Sequence, residues 1–234
     1  MNGHLLKDFC EPSSKKGFRD ISLDLAETEI TGIWNEMSKG LLKHFYEEAD
    51  CSKYPKDHKG FSDAKIIIVG TITPHDAKEF FYTAQKTKMY EIVDKLLNTN
   101  LDEKKKKGEI DVKNGLIDQL DAERIFFLDV FSKVIRKKKS ASDEDILFGS
   151  LNYDGFKKYM PQIGENTVIV ANSQLAHDLC KKILNRINDG KNSERLEKEP
   201  HSIFRREKVE TMTDDWEPIF KKAGFTIKRK KSAL

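Results

Sequence analysis

Apolar residues along the chain fall into two kinds of pattern. Three short runs are continuous and largely β-branched or aromatic: KIIIVG (65–70), RIFFLDVF (124–131) and TVIVAN (167–172). A fourth, weaker run, GFTIKRK, starts at Gly224. Continuous apolar runs predict strands buried on both faces, as in a parallel sheet, because a strand with one face in water alternates instead. Between the runs, apolar residues recur at three- and four-residue steps: Met89, Ile92, Val93, Leu96 and Leu97, then Leu175, Leu179, Ile183, Leu184 and Ile187. That period places them on one stripe of a helix. A further stripe (Leu25, Ile30, Ile33, Trp34, Met37, Leu41, Leu42, Phe45) predicts helix over 25–49, with Gly32 and Gly40 as points of interruption. Strands alternating with helices predict an α/β fold. Its form is a three-layer α/β/α sandwich around a mostly parallel four-stranded sheet, with an N-terminal helical extension. Residues 1–24 are polar and 50–63 are rich in turn formers, which divides the chain into an arm and helical extension over 1–60 and an α/β/α domain over 61–234.

Composition narrows the classes. The 234 residues include 42 Lys or Arg and 39 Asp or Glu, a formal charge of +3 that is too small to imply a polyanionic partner by itself. The cations are clustered, however, at 104–107, 136–139, 205–206 and 228–231, each of which reads as a solvated loop or tail. Neutralising several phosphates with such clusters would give strong, salt-dependent affinity for nucleic acid. Cys10, Cys51 and Cys180 lie far apart with no CxxC, which argues against a disulfide framework, a zinc finger and an iron–sulfur cluster. No stretch approaches the ~18 apolar residues of a membrane span. The first residues, MNGHLLKDFCEPSSKKG, lack the apolar core of a signal peptide. The expectation is a cytoplasmic protein with no membrane partner.

In an open parallel sheet, ligands bind beyond the carboxyl ends of the strands. Here those ends are polar: Gly70, Thr71, Ile72, Thr73, Pro74, His75 and Asp76 after the first run, Asp129 within the second, and Asn172 with Ser173 after the third. Three polar strand ends on one edge predict a site there. Plainer readings stand beside that one. Asp76 suits the start of a helix, where the dipole favours acid; Asn172 or Ser173 suits a helix cap; Asp129 could close a turn. His75 and His201 are single histidines in polar segments. Adjacent Phe80, Phe81 and Tyr82 cannot all face one pocket.

The order KIIIVGTITP, FFYTAQKTKMYEIVDKLL, RIFFLDVFSKV with SASDEDI, and TVIVANSQLA resembles the uracil-DNA glycosylase superfamily over about 65–184, nearest its hypoxanthine-type and mismatch-type branch. The resemblance implies that the loop Gly70, Thr71, Ile72, Thr73, Pro74 holds the attacking water and one face of a flipped base. Ile72 and Thr73 stand where several branches carry a carboxylate or amide before the proline. Water activation therefore passes to Asp76, with His75 beside it. Phe80, Phe81 and Tyr82 match the aromatic cluster on which the base stacks, and Thr87 replaces a helix-opening Asn, with Lys88 next to it. Asp129 matches the base-reading position, and Asn172 lines the same pocket. A carboxylate only accepts hydrogen bonds, so Asp129 suits a base presenting N–H, such as the amine of a cytosine-type base or the ring N–H of a purine. Uracil would set its O4 against it. The segment 199–206 resembles the family's last motif. There His201 would donate to the departing base, Ser202 would bind a phosphate, and Phe204 or Arg205 would fill the vacated stack. Lys88, Ser142 and Arg206 complete the implied DNA contacts.

The activity so implied is that of a monofunctional DNA glycosylase. It would flip a modified or damaged base, hydrolyse the N-glycosidic bond with water and leave an abasic site, with no metal and no organic cofactor. The setting would be repair of deaminated bases, or defence against foreign (phage) DNA carrying modified cytosines. Two other readings remain: a catalytically inactive DNA-binding or scaffold module of the same fold, permitted by the missing carboxylate before Pro74, and a nucleotide- or nucleoside-acting α/β enzyme. The second is weakened because the glycine–threonine loop lacks the GxxxxGK[ST] pattern that cradles phosphate.

Overall fold

The computed structural model describes residues 24–38, 45–48, 60–72, 89–108, 119–136, 143–187, 190–201 and 208–229. In chain order its elements are α1 (Glu27–Ser38), β1 (Phe45–Glu48), β2 (Ile66–Gly70), α2 (Met89–Leu97), α3 (Leu101–Lys106), β3 (Ile125–Asp129), β4 (Phe131–Arg136), β5 (Ile146–Leu151), α4 (Tyr153–Tyr159), β6 (Val168–Ala171), α5 (Gln174–Arg186) and α6 (Val209–Lys222). Short 3-10 turns lie at Gly60–Asp63, Asp143–Asp145 and Met160–Gln162.

The three continuous apolar runs build one parallel sheet in the order β3-β2-β6. Every residue of β2, β3 and β6 is buried. Alternation of side chains sorts them onto two faces. On one face Ile66, Ile68, Ile125, Phe127, Val168 and Val170 pack against α2 and α6, through Ile92, Val93, Trp216 and Phe220. On the other face Ile67, Val69, Phe126, Leu128 and Ile169 pack against Phe156 of α4 and Leu179, Ile183 and Leu184 of α5. Each such side chain contributes about 1.5–3 kcal/mol on burial, which is why these runs are apolar throughout. The layering around this sheet is α/β/α, as the pattern predicts, and no helix among the described residues is long and apolar enough to cross a membrane.

The expected single four-stranded sheet is not what forms. A three-stranded parallel sheet is accompanied by a separate three-stranded antiparallel sheet, ordered β1-β4-β5. The run RIFFLDVF supplies both sheets: β3 stops at Asp129, Val130 is a bend, and the chain re-enters strand at Phe131. Residues 224–229 of the GFTIKRK run form no strand. Phe225 instead packs on Phe220 at 4.9 Å between ring centroids, and Lys228 N–H donates to the Leu96 carbonyl at the end of α2 (2.7 Å). The position beside β6 is taken by a short segment around Leu196. Ile169 N–H donates to Arg195 O (3.1 Å) and Glu197 N–H to Ile169 O (2.8 Å), leaving one isolated parallel bridge, Ile169↔Leu196.

The helix expected over 25–49 is shorter. α1 ends at Ser38, and Phe45, placed on the helical stripe, opens β1, where it pairs with Arg136 of β4. Pairing across the sheet overrides the local period here. Ile30 of α1 is buried with Ile135 and Phe148, so the helix lies on the antiparallel sheet. Two of the cationic runs also depart from the solvated loops expected of them. Lys104 to Lys106 belong to α3, and Arg136 is 1% exposed at the end of β4.

Gly149 in β5 marks a tight fit between β4 and β5. A Cβ there would lie 2.3 Å from the buried Phe131 ring, which is held inside the core and has no room to swing away. Replacing Gly149→Ala is expected to lower unfolding free energy by about 1–3 kcal/mol through overpacking. Urea denaturation of the two proteins checks this.

Candidate functional site

The chain beyond β2 returns as α2 on one face of the parallel sheet, whereas the chain beyond β6 returns as α5 on the other. The two neighbouring strands β2 and β6 therefore send their connections apart, and that divergence is the topological switch point where open α/β sheets form their ligand crevice. The residues at this point are Gly70, which ends β2, and Asn172, which follows β6.

Asp129 stands opposite Gly70 in the parallel register. Gly70, Asp129 and Asn172 follow the parity of Ile68, Phe127 and Val170, so they share the α2/α6 face. A Cβ on Gly70 would lie 2.8 Å from Asp129 Oδ1 and 3.5 Å from Asn172 Nδ2. The two polar side chains thus converge over the strand whose last residue has none. The glycine is what lets a carboxylate and an amide approach each other across the middle strand. Asp129 is only 2% exposed, in keeping with its place inside an apolar run.

Hydrogen bonds outside the sheet hold this edge. Val130 N–H donates to Gly70 O (2.8 Å) and Phe131 N–H to Thr71 O (3.0 Å), extending the β2–β3 pairing past the strand ends. Asn152 Nδ2 donates to the Asp129 carbonyl (3.0 Å), and its Oδ1 accepts from Gly155 N–H (3.0 Å) as the N-cap of α4. On the other side of β2, Asn172 N–H donates to Val69 O (2.9 Å). Ser173 is the N-cap of α5, its Oγ accepting from Ala176 N–H (3.2 Å), as the pattern ANSQLA predicts.

His201 reaches the same edge through its backbone. Its N–H donates to Ala171 O (2.8 Å) at the end of β6, and its ring meets Trp216 of α6 edge-on, centroids 6.1 Å apart. Thr71 and Ile72 turn elsewhere. Thr71 Oγ1 donates to Asp143 Oδ1 (2.8 Å), and Ile72 is buried in the cluster on the α5 face, with Phe61 and Leu128. Of the residues expected at the site, Gly70, Asp129 and Asn172 come together, and His201 is anchored beside them. Thr73, Pro74, His75, Asp76, Phe81, Tyr82, Lys88, Ser142, Ser202, Phe204, Arg205 and Arg206 lie outside the described residues. Two side chains that hold this edge were missed by sequence reasoning: Asn152 and Asp143. Asn152 was detectable, since Asn ahead of YDGF is a helix-capping signature; the long-range contacts of Asp143 carry no local signal.

Other chemistry is scarce. No three His, Cys, Asp or Glu side chains among the described residues gather to hold a metal ion. Cys180 is fully buried in the core, and burial pushes its thiol well up, so it is no nucleophile. An open hollow of about 590 Å3 on the outer face of α5 is lined by Asp178, Lys181, Lys182, Asn185 and Arg186. It lies down the helix from the strand edge, and two of its cations, Lys182 and Arg186, are already paired with Asp24 at 3.3 and 2.9 Å.

No family model matches the chain, and no curated protein matches it. Its structure is distantly similar to the solution NMR structure of a Methanosarcina acetivorans protein that carries the provisional name uracil DNA glycosylase. The two share 18% identity at a TM-score of 0.48, over 70% of this chain and 93% of that one.

Two substitutions test the geometry of the edge. Gly70→Ala is expected to cost about 1–3 kcal/mol, because the new methyl group must displace the Asp129 carboxylate. Asn152→Ala is expected to cost about 1–2 kcal/mol through loss of the α4 cap and of the bond to the Asp129 carbonyl. Thermal unfolding measures both, and a wild-type melting temperature for Gly70→Ala would contradict the convergence of Asp129 on that strand.

Proposed function

We propose that this chain is a DNA glycosylase that extrudes a modified or damaged base and hydrolyses its N-glycosidic bond with water. The observation that carries the reading is the row of Asp129, Gly70 and Asn172 at the switch point. A nucleobase edge is a flat line of donors and acceptors, and this row offers a matching line: a carboxylate that only accepts and an amide that both donates and accepts, brought together over a residue with no side chain. A base that places N–H against Asp129 and an acceptor toward Asn172 fits it. Cytosine-type bases have that arrangement, whereas uracil sets O4 against the carboxylate.

In this reading His201 donates to negative charge gathering on the departing base, and Asp76 orients the water toward the sugar. The sugar carries positive character in the transition state, so nearby negative charge, including the DNA phosphates, stabilises it. Removing a base from duplex DNA requires extrusion at a few kcal/mol, which Phe204 or Arg205 offsets by filling the gap, while Lys88, Ser142, Ser202 and Arg206 hold phosphates. In this reading no lysine serves as an amine nucleophile, and the reaction ends at the abasic site. The role would be repair, or defence against foreign DNA bearing modified cytosines.

The nucleotide-enzyme alternative loses ground on one contact. A phosphate cradled by the Gly70–Thr71 turn and the start of α5 would meet the Asp143 carboxylate, which already occupies the Thr71 and Ser173 hydroxyls.

Incubating the purified protein with oligonucleotides carrying uracil, hypoxanthine and modified cytosines, followed by alkali, tests the proposal. The expected outcome is alkali-dependent scission at a cytosine-type or purine-type lesion in preference to uracil. Asp129→Asn is expected to lower kcat/KM on the preferred base by roughly 10- to 100-fold, the worth of a charged hydrogen bond. Intact strands across the panel, with salt-dependent binding retained, would instead favour a DNA-binding module without catalysis.

A further inference from the structure

The two sides of β2 are fastened differently. Toward β3, backbone bonds continue past the strand, with Val130 N–H on Gly70 O and Phe131 N–H on Thr71 O. Toward β6, the described register ends at Val69↔Ala171 and the last ladder bond is Asn172 N–H to Val69 O. Among the described residues, no further backbone bond joins β2 and β6 beyond that point. Among the described residues, the Asp143 side chain joins the two sides. Asp143 accepts from Thr71 Oγ1 on Oδ1 (2.8 Å) and from Ser173 Oγ on Oδ2 (2.9 Å). Thr71 follows Gly70 and Ser173 follows Asn172, so the clamp joins the residues next to the two that border the crevice.

We infer that Asp143 is a positioning residue that sets the separation of Gly70 and Asn172 at the switch point, in place of further backbone bonds between β2 and β6. The residue types fit this task. A carboxylate has two oxygens held about 2.2 Å apart, each able to accept, so it can hold two hydroxyls at a fixed spacing. Ser173 Oγ donates to Asp143 while accepting from Ala176 N–H, so the clamp is also tied to the first turn of α5. The α5 N-terminus carries partial positive charge, which favours the carboxylate there. Asp143 itself comes from the turn Asp143–Asp145 that leads into β5, so the second sheet is what presents it. Mismatched spacing at this edge would move the amide of Asn172 relative to Asp129. A displacement near 1 Å in such a site costs on the order of 100-fold in rate.

The structural claim stands apart from the proposed activity, and only the kinetic arm of the test rests on that activity. Asp143 is 72 residues from Thr71 and 30 from Ser173, so resonance changes at Gly70 and Asn172 cannot be relayed along the chain. Isotope-labelled wild type, Asp143→Ala and Asp143→Asn are compared by amide NMR. Asp143→Asn keeps one acceptor oxygen, and serves if the alanine variant fails to fold. The Gly70 backbone amide and the Asn172 side-chain amide are expected to shift, more in Ala than in Asn, while Val130 and Phe131, bonded on the β3 side, hold their positions. Unmoved Gly70 and Asn172 resonances in a folded variant overturn the inference. On whichever base the wild type releases, Asp143→Ala is expected to lower kcat roughly 10- to 100-fold with KM within about threefold. Shifted resonances with unchanged kcat would remove the positioning role. If the wild type releases no base, the glycosylase reading fails and the NMR comparison alone decides the clamp.

Discussion

Strand β2 has no side open to water. Its five residues are buried, helices cover both faces, and each edge is bonded to a parallel neighbour. A strand so enclosed must satisfy every N–H and C=O through its neighbours, because an unpaired group in that position costs as much as a lost hydrogen bond. Its composition follows from this: three isoleucines and a valine, then a glycine at the one position where polar side chains from both neighbours meet. The switch point is the place where this enclosure ends. Backbone bonds continue there toward β3, and side-chain bonds from Asn152 and Asp143, which lie outside the parallel sheet, are added to them.

The two sheets are therefore not independent. β3 passes into β4 through Val130 alone, and Asn152 N–H donates to the Val130 carbonyl (2.8 Å) just after β5 ends. The antiparallel sheet is thus tied directly to Asp129 through this junction. α1 and β1 add to the same sheet, through Ile30 and through pairing with β4. Residues far from Asp129 in sequence thus support the strand end that carries it.

The parallel sheet was legible in the sequence because burial on both faces leaves a local mark, a continuous apolar run, that KIIIVG, RIFFLDVF and TVIVAN all carry. α2 and α5 were legible through their helical period and, for α5, through Ser173 at its cap. The antiparallel sheet left no such mark. FYEE, FSKVIR and ILFGSL mix charged, small and apolar residues, and the β1–β4 pairing, between strands close to 90 residues apart, depends on partners that no local pattern names. GFTIKRK carried a strand-like composition, yet its Phe225 is drawn into the core beside Phe220, and its backbone bonds to a helix end. At the site, Gly70, Asp129 and Asn172 were legible as polar or small interruptions in apolar runs. Asp143 was not, since DED preceding a strand reads as an ordinary acidic turn.

The segment that carries His201 has a consequence for how the molecule behaves among copies of itself. β6 would otherwise end the parallel sheet with a row of open N–H and C=O groups, the feature by which strands of different chains zip together. Arg195 to Glu197 occupy that row, and the residues that follow (Lys198, Glu199 and Pro200) combine two charges with an imide nitrogen that cannot donate. Such a strip satisfies the edge without offering a fresh one, so the same stretch that delivers the histidine also discourages fibre-like self-association.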